Sequence, residues 1–168
     1  MSMTLTQAEK DRIVGEVRAR MRTWYSGPNL EAACLYWAGM VCHVLHARGV
    51  RAILQAGTHM WPCMGEDDGV SATHFSYVWE PDHPLSVNAL AAGGMPEMHV
   101  WVGVPATGEI IDVTTCYLVK QARVRAGINW TAPAPPDYLW SSKPPTGVVY
   151  RPNREATMLA MRFLAEAA

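Results

Sequence analysis

Met98-His99-Val100-Trp101-Val102-Gly103-Val104, followed by Gly108-Glu109-Ile110-Ile111-Asp112-Val113-Thr114, is the stretch on which the reading of the fold turns. Both runs are rich in β-branched residues, and Pro105 to Gly108 lies between them as a turn, so together they predict a β-hairpin. Side chains alternate along a strand, which puts His99, Trp101 and Gly103 on one face and Met98, Val100, Val102 and Val104 on the other. A four-residue turn pairs Val104 with Glu109 and Trp101 with Asp112. His99 then lies diagonally from Asp112 on the same face, within reach of a His–carboxylate hydrogen bond. An odd-length loop without a bulge would turn Asp112 to the opposite face, so the register is a test.

Upstream of the hairpin, no charged residue occurs from Ala32 to Ala47. Ser26-Gly27-Pro28-Asn29 can start a helix over about 30–48, with Asn29 as N-cap and Gly49 as terminator. A helix apolar nearly all round belongs among other elements rather than on a surface. Thr6-Gln7-Ala8-Glu9 has capping-box spacing, and Ile13, Val14, Val17 and Met21 recur at helical intervals, so an amphipathic helix is expected from about 6 to 25. Val50 to Gly57 and Thr73 to Trp79 read as strands. Between them, Thr58 to Ser71 reads as a loop. Pro81 to Pro96 is irregular, and 115–128 is ambiguous, with helix at its start. Pro133-Ala134-Pro135-Pro136 and Lys143-Pro144-Pro145 mark extended coil. Gly147 to Arg151 suits a last strand, and Asn153 can cap a closing helix with Met158, Met161, Phe163 and Leu164 on its apolar side. There is no internal repeat and no linker, and 1–168 is read as a single domain.

The 168 residues are 49% hydrophobic with a formal charge of -1, the composition of an ordinary globular chain large enough for a core. That balance gives no support to a nucleic-acid or anionic-membrane partner. The N-terminal MSMTLTQAEKDRIVGEV has no apolar signal-peptide core, and Ala32 to Ala47 falls short of the roughly 20 apolar residues of a membrane span. The cytoplasm is therefore the expected location, with a non-standard secretion route left open. The four cysteines at 34, 42, 63 and 116 lack C-x-x-C spacing and read as thiols.

Cys34 near a helix start, His99 on one strand and Asp112 on the next have the types and order of a nucleophile, a base and an orienting group. A helix N-terminus and a nearby imidazolium both favour a thiolate. If Asn29 is the cap, Cys34 is one turn inside; a start nearer Ala32 would suit it better, and both remain open. Taken alone, Cys34 reads as a buried helical thiol sharing a face with Trp37, Ala38, Val41 and Leu45.

Cys34-Leu35-Tyr36-Trp37-Ala38 through Gly49 to Gly57, with His99-Val100-Trp101 and Asp112-Val113-Thr114, resembles the core motif of the transglutaminase-like superfamily of papain-like cysteine enzymes. Val113 stands where that family has Pro, and Arg51 is shifted from the family's Arg. The resemblance implies an α+β, papain-like/transglutaminase-like fold: a central helix packed on an antiparallel β-sheet, with flanking N- and C-terminal helices. It further implies a Cys34–His99–Asp112 triad hydrolysing peptide or amide bonds through a thioacyl-enzyme. The alternatives are acyl transfer or glutamine deamidation by the same triad, or a non-catalytic binding module on the same fold. A peptide or protein substrate is expected, no cofactor is called for, and the oligomeric state is open.

Asn29 and Trp24 are candidate oxyanion donors, although capping is the stronger reading of Asn29. Trp37, Trp61 and Trp101 are candidate groove residues, with Glu66-Asp67-Asp68 beside Trp61 as a further border. The flexible Pro81–Pro96 segment is a candidate lid. Cys42 and His46 stand at i, i+4, and His59 and Cys63 could join them. The spacing matches no standard zinc pattern, and no metal site is expected.

Overall fold

In the computed structural model, which describes residues 5–64 and 73–167, helices flank a central antiparallel sheet. Helix α1 runs Gln7–Trp24 and opens with the capping box: Thr6 accepts from the Glu9 backbone while the Glu9 side chain accepts from the Thr6 backbone. Such a cap is worth about 1 kcal/mol. Ile13, Val14, Val17 and Met21 form its buried face, as their spacing predicts. Asn29 then caps a single 3-10 turn, Leu30–Ala32. Helix α2 runs Cys34–His46, later and shorter than the 30–48 expected. The 3-10 turn interrupts the expected helix, which makes Cys34 the first helical residue rather than one a turn inside.

Strand β1, Ile53–Pro62, starts later than expected and continues well past Gly57. Strand β2, His74–Tyr77, helix α3, Pro84–Ala91, and strand β3, His99–Val104, follow. Strand β4 is Glu109–Asp112, and helix α4, Leu118–Ala126, resolves the ambiguous segment as helix after one 3-10 turn. Strands β5, Leu139–Ser141, and β6, Val149–Pro152, precede the closing helix α5, Arg154–Glu166, which Asn153 caps as its position suggests.

The sheet order is β2-β1-β3-β4-β5, all antiparallel neighbours, with β6 also pairing to β1. The hairpin takes the register of a four-residue turn, pairing Val104 with Glu109 and Val102 with Ile111. Gly57 sits where β3 and β6 both meet β1, opposite His99 and Pro152. A Cβ there would fall 2.2 Å from the Arg151 carbonyl oxygen, so only glycine permits the two strands to close at this point.

Ala56, Val100, Val102, Val104 and Ile111 are buried in one core with the inward residues of α1, α2 and α5, including Val17, Val41, Leu45 and Ala160. A second core, of Trp61, Cys63, Phe75, Tyr77 and Leu139, packs with Leu118 and Ala122 of α4. Among the described residues, no helix is long and apolar enough to cross a membrane. Glu66, Asp67 and Asp68, the expected groove border, lie outside the described residues.

Candidate metal centre

The strand registers decide which polar groups meet. His99 stands opposite Gly57, two residues from His59 on β1, and His59 stands opposite Tyr77 of β2 and Tyr150 of β6. Asp112 ends β4 on the same face, its parity that of Ile110 opposite Gly103. Pairing and alternation thus gather His59, His99, Asp112, Tyr77 and Tyr150 on one face.

His59, His99 and Asp112 are all buried, at 0%, 3% and 2% exposure. One donor atom from each can be chosen so that all three lie within 4.8 Å of one another. His99 Nε2 lies 2.7 Å from Asp112 Oδ2, and the Tyr150 hydroxyl donates to the same oxygen at 2.9 Å. The other oxygen, Oδ1, accepts from the Thr114 backbone N–H at 2.9 Å and the Thr114 hydroxyl at 2.6 Å. The His59 ring lies 4.4 Å from the His99 ring and 4.7 Å from the Tyr150 ring, centroid to centroid. Neither of its nitrogens has a hydrogen-bond partner among the described residues.

The three groups have very different proton affinities. Burial pushes His59 well below the ordinary imidazole range, and the neighbouring His99 charge adds to that. Burial also disfavours charge on His99, but the Asp112 carboxylate outweighs it and, with a smaller contribution from Cys34, holds His99 up at about 10. Burial raises Asp112, yet the charge and hydrogen bond of His99 dominate and hold it well below the usual carboxylate range. Burial and the nearby Asp112 charge raise Tyr150, which stays a neutral donor. The result is a buried His99–Asp112 ion pair beside a neutral imidazole with a free lone pair.

His99 lines a cavity of about 320 Å³, together with Cys34, Tyr77, Met98, Gln121 and Arg125. Cys34 is therefore in the cavity wall and half-buried. The side chain that gathers with His99 and Asp112 as a third donor is His59, however, and no cysteine sulfur belongs to that set among the described residues. The cysteines are dispersed. Burial raises the Cys42 thiol to about 11, Cys63 lies in the second core, and Cys116 lies beside Arg18. The cysteine-nucleophile, thioacyl reading and the papain-like Cys–His–Asp assignment are corrected on this cluster, and the acyl-transfer and deamidase alternatives fall with the triad. The metal expectation changes as well: the cluster uses His59 with His99 and Asp112, and leaves out Cys42, His46 and Cys63.

The remaining expected site residues are placed as follows. Asn29 Oδ1 accepts from the Ala32 N–H at 3.2 Å, so its side chain is used as a cap. Trp24 is 52% exposed and packs on Tyr36, in a separate groove between α1 and α2. Trp37, Trp61 and Trp101 are buried and line no part of the cavity: Trp37 donates to the Leu30 carbonyl, Trp101 donates to Gln55, and Trp61 packs in the second core. The Pro81–Pro96 segment contains α3, with Pro84 at its N-terminus and His83 accepting from the Leu85 N–H, which orders what reads as a loose lid.

His59 is the residue that sequence reasoning missed in this role. Ending β1 at Gly57 hid it, although Gln55, Gly57, His59 and Trp61 continue the two-residue alternation.

No protein-family model matches the chain. No curated protein matches it either. Among solved structures, the chain is similar to one described as "The crystal structure of genomics APC5867", at 16% identity and a TM-score of 0.53, over 99% of this chain and 74% of that one. That similarity bears on the fold alone: a mixed α+β arrangement with a central antiparallel sheet and flanking helices. It does not extend to the narrower transglutaminase-like architecture.

Proposed function

We propose that this chain binds one divalent transition-metal ion at His59, His99 and Asp112, beside a cavity that gives small molecules access to the centre. The observation that carries this reading is His59: wholly buried, with neither ring nitrogen partnered among the described residues, and grouped with a second imidazole and a carboxylate. A buried polar group without a partner costs about 1–3 kcal/mol, and coordination would offset that cost. Two imidazoles and one carboxylate suit zinc or ferrous iron rather than magnesium or calcium. Tyr150 and Thr114 already orient the carboxylate as outer partners of a ligand do.

A three-ligand set leaves a coordination position for water or a substrate atom, and a bound ion would supply Lewis acidity there. His99 links this set to the cavity, since it belongs to both. A peptide or protein substrate would reach the cavity with one terminus or side chain, in keeping with its volume of about 320 Å³.

Calorimetric titration of chelator-treated protein with zinc, followed by metal analysis after gel filtration, tests the reading. The expected result is one equivalent retained by the wild type and none by a folded His59→Phe variant. A wild type that retains no metal, or a His59→Phe variant that binds zinc as well as the wild type, overturns it.

A further inference from the structure

The cavity that His99 lines carries a second recognition element. Gln121 and Arg125 stand one turn apart on α4, so their side chains share a face, and both line the cavity. Gln121 is 6% exposed, with its side chain in the cavity lining. Arg125 lies over the Tyr77 ring, its guanidinium carbon 4.8 Å from the ring centroid. Its closest carboxylate, Glu97, is 3.9 Å away, longer than a hydrogen bond. The other acid of the wall, Glu31, is taken by Lys120 at 2.8 Å. A largely buried amide and a guanidinium therefore line the cavity together, while Leu85, Met95 and Leu118 supply an apolar side.

We propose that this wall is a carboxylate-binding subsite, in which Arg125 and the Gln121 amide hold the free carboxylate of a ligand whose small apolar group rests on Leu85, Met95 and Leu118. The guanidinium fork matches a carboxylate in two parallel hydrogen bonds, and the amide NH₂ adds a third donor. A ligand so anchored is held in the same cavity as His99. The inference deepens the metal-site reading by naming a substrate class for it, and it rests on that reading only for what happens after binding.

The test uses N-acetyl-L-leucine, its neutral amide, and the tripeptide Ala-Ala-Leu, each titrated calorimetrically into chelator-treated and zinc-treated protein. The acid is expected to bind saturably in both preparations, and the amide about tenfold or more weakly, the worth of one charge-assisted hydrogen bond. Arg125→Gln and Gln121→Leu are each expected to remove most of that preference, with unchanged circular dichroism and zinc binding. Tighter binding of the tripeptide assigns the carboxylate to a peptide end, and tighter binding of N-acetyl-L-leucine assigns it to a free small acid. Equal binding of acid and amide, no saturable binding of either, or binding that needs zinc but is indifferent to Arg125→Gln overturns the subsite. Failure of the metal centre alone leaves the chelator-treated result intact, so the two readings fail separately.

Discussion

The two faces of the sheet are buried to a similar degree but are built on different principles. One face presents Ala56, Val100, Val102, Val104 and Ile111 to α1, α2 and α5, with no polar side chain among them. The other presents His59, Trp61, Tyr77, His99, Trp101, Asp112 and Tyr150. The aliphatic face is held by area removed from water and close packing, which depend on volume and tolerate conservative repacking. On the polar face each group depends on its partner, since a buried charge is tolerable only when paired and hydrogen-bonded. His59 is the exception there, and the contrast makes it stand out: His99, Thr114 and Tyr150 each bond to Asp112, while His59 has no partner among the described residues.

The largest effect should come from placing a charge on the wrong face. Val102→Asp puts an unpaired carboxylate at a position with no exposure, and a loss of about 4 kcal/mol or more, or outright failure to fold, is expected in urea denaturation. A folded variant of near wild-type stability would mean that the aliphatic face is wetter than the packing indicates.

Next in size is Asp112→Ala, which leaves His99, Tyr150 and Thr114 facing a missing carboxylate; a loss of about 3–5 kcal/mol is expected, read the same way. The metal-free wild type should carry the pH signature of this pair. His99 is raised to about 10, so its contribution is present below the ordinary imidazole pKa and is lost as pH rises through about 10. Asp112 is lowered, so its contribution is present above the ordinary carboxylate pKa and is lost as pH falls below it. His59, held well below the ordinary imidazole range, adds a loss of stability as pH falls below about 6.5, so urea midpoints should peak near pH 6.5 and fall on both sides, with the alkaline fall largely absent in Asp112→Ala. A flat wild-type profile would break the distinction between the faces.

The smallest change in stability is expected from His59→Phe. Replacing a ring that makes no hydrogen bond with an apolar ring of similar shape should shift metal-free stability by no more than about 1 kcal/mol, in either direction. A loss comparable to that of Asp112→Ala would show that His59 is a structural member of the polar network. That outcome would remove the main reason for reading it as a ligand.

Much of this contrast is legible in the primary sequence because β-alternation is local. The valines of β3 and the parity of His99 and Asp112 follow from side-chain direction and one tight turn, and the observed register is the one that parity predicts. Helices α1 and α5 announce their starts through Thr6, Glu9 and Asn153. Other features were not legible. The 3-10 turn before Cys34 follows from how Asn29 caps Leu30–Ala32, and the helix within Pro81–Pro96 is too short to stand out among its prolines and glycines. Reading chemistry from Cys34 through a family resemblance led away from His59, since a pattern of cysteine, histidine and aspartate leaves no place for a second imidazole.

The sequence by itself determined that a hairpin would carry His99 and Asp112 on one face and valines on the other, and that an uncharged helix would be buried against it. Only the tertiary structure decided that His59 completes the cluster. That depends on β1, paired with β3 up to Gly57, continuing past it to pair with β2 and β6 at His59. Local periodicity states which way a side chain points. Which distant strand lies opposite is set by the packing of the whole sheet, and at Gly57 by a glycine whose missing Cβ lets two strands meet.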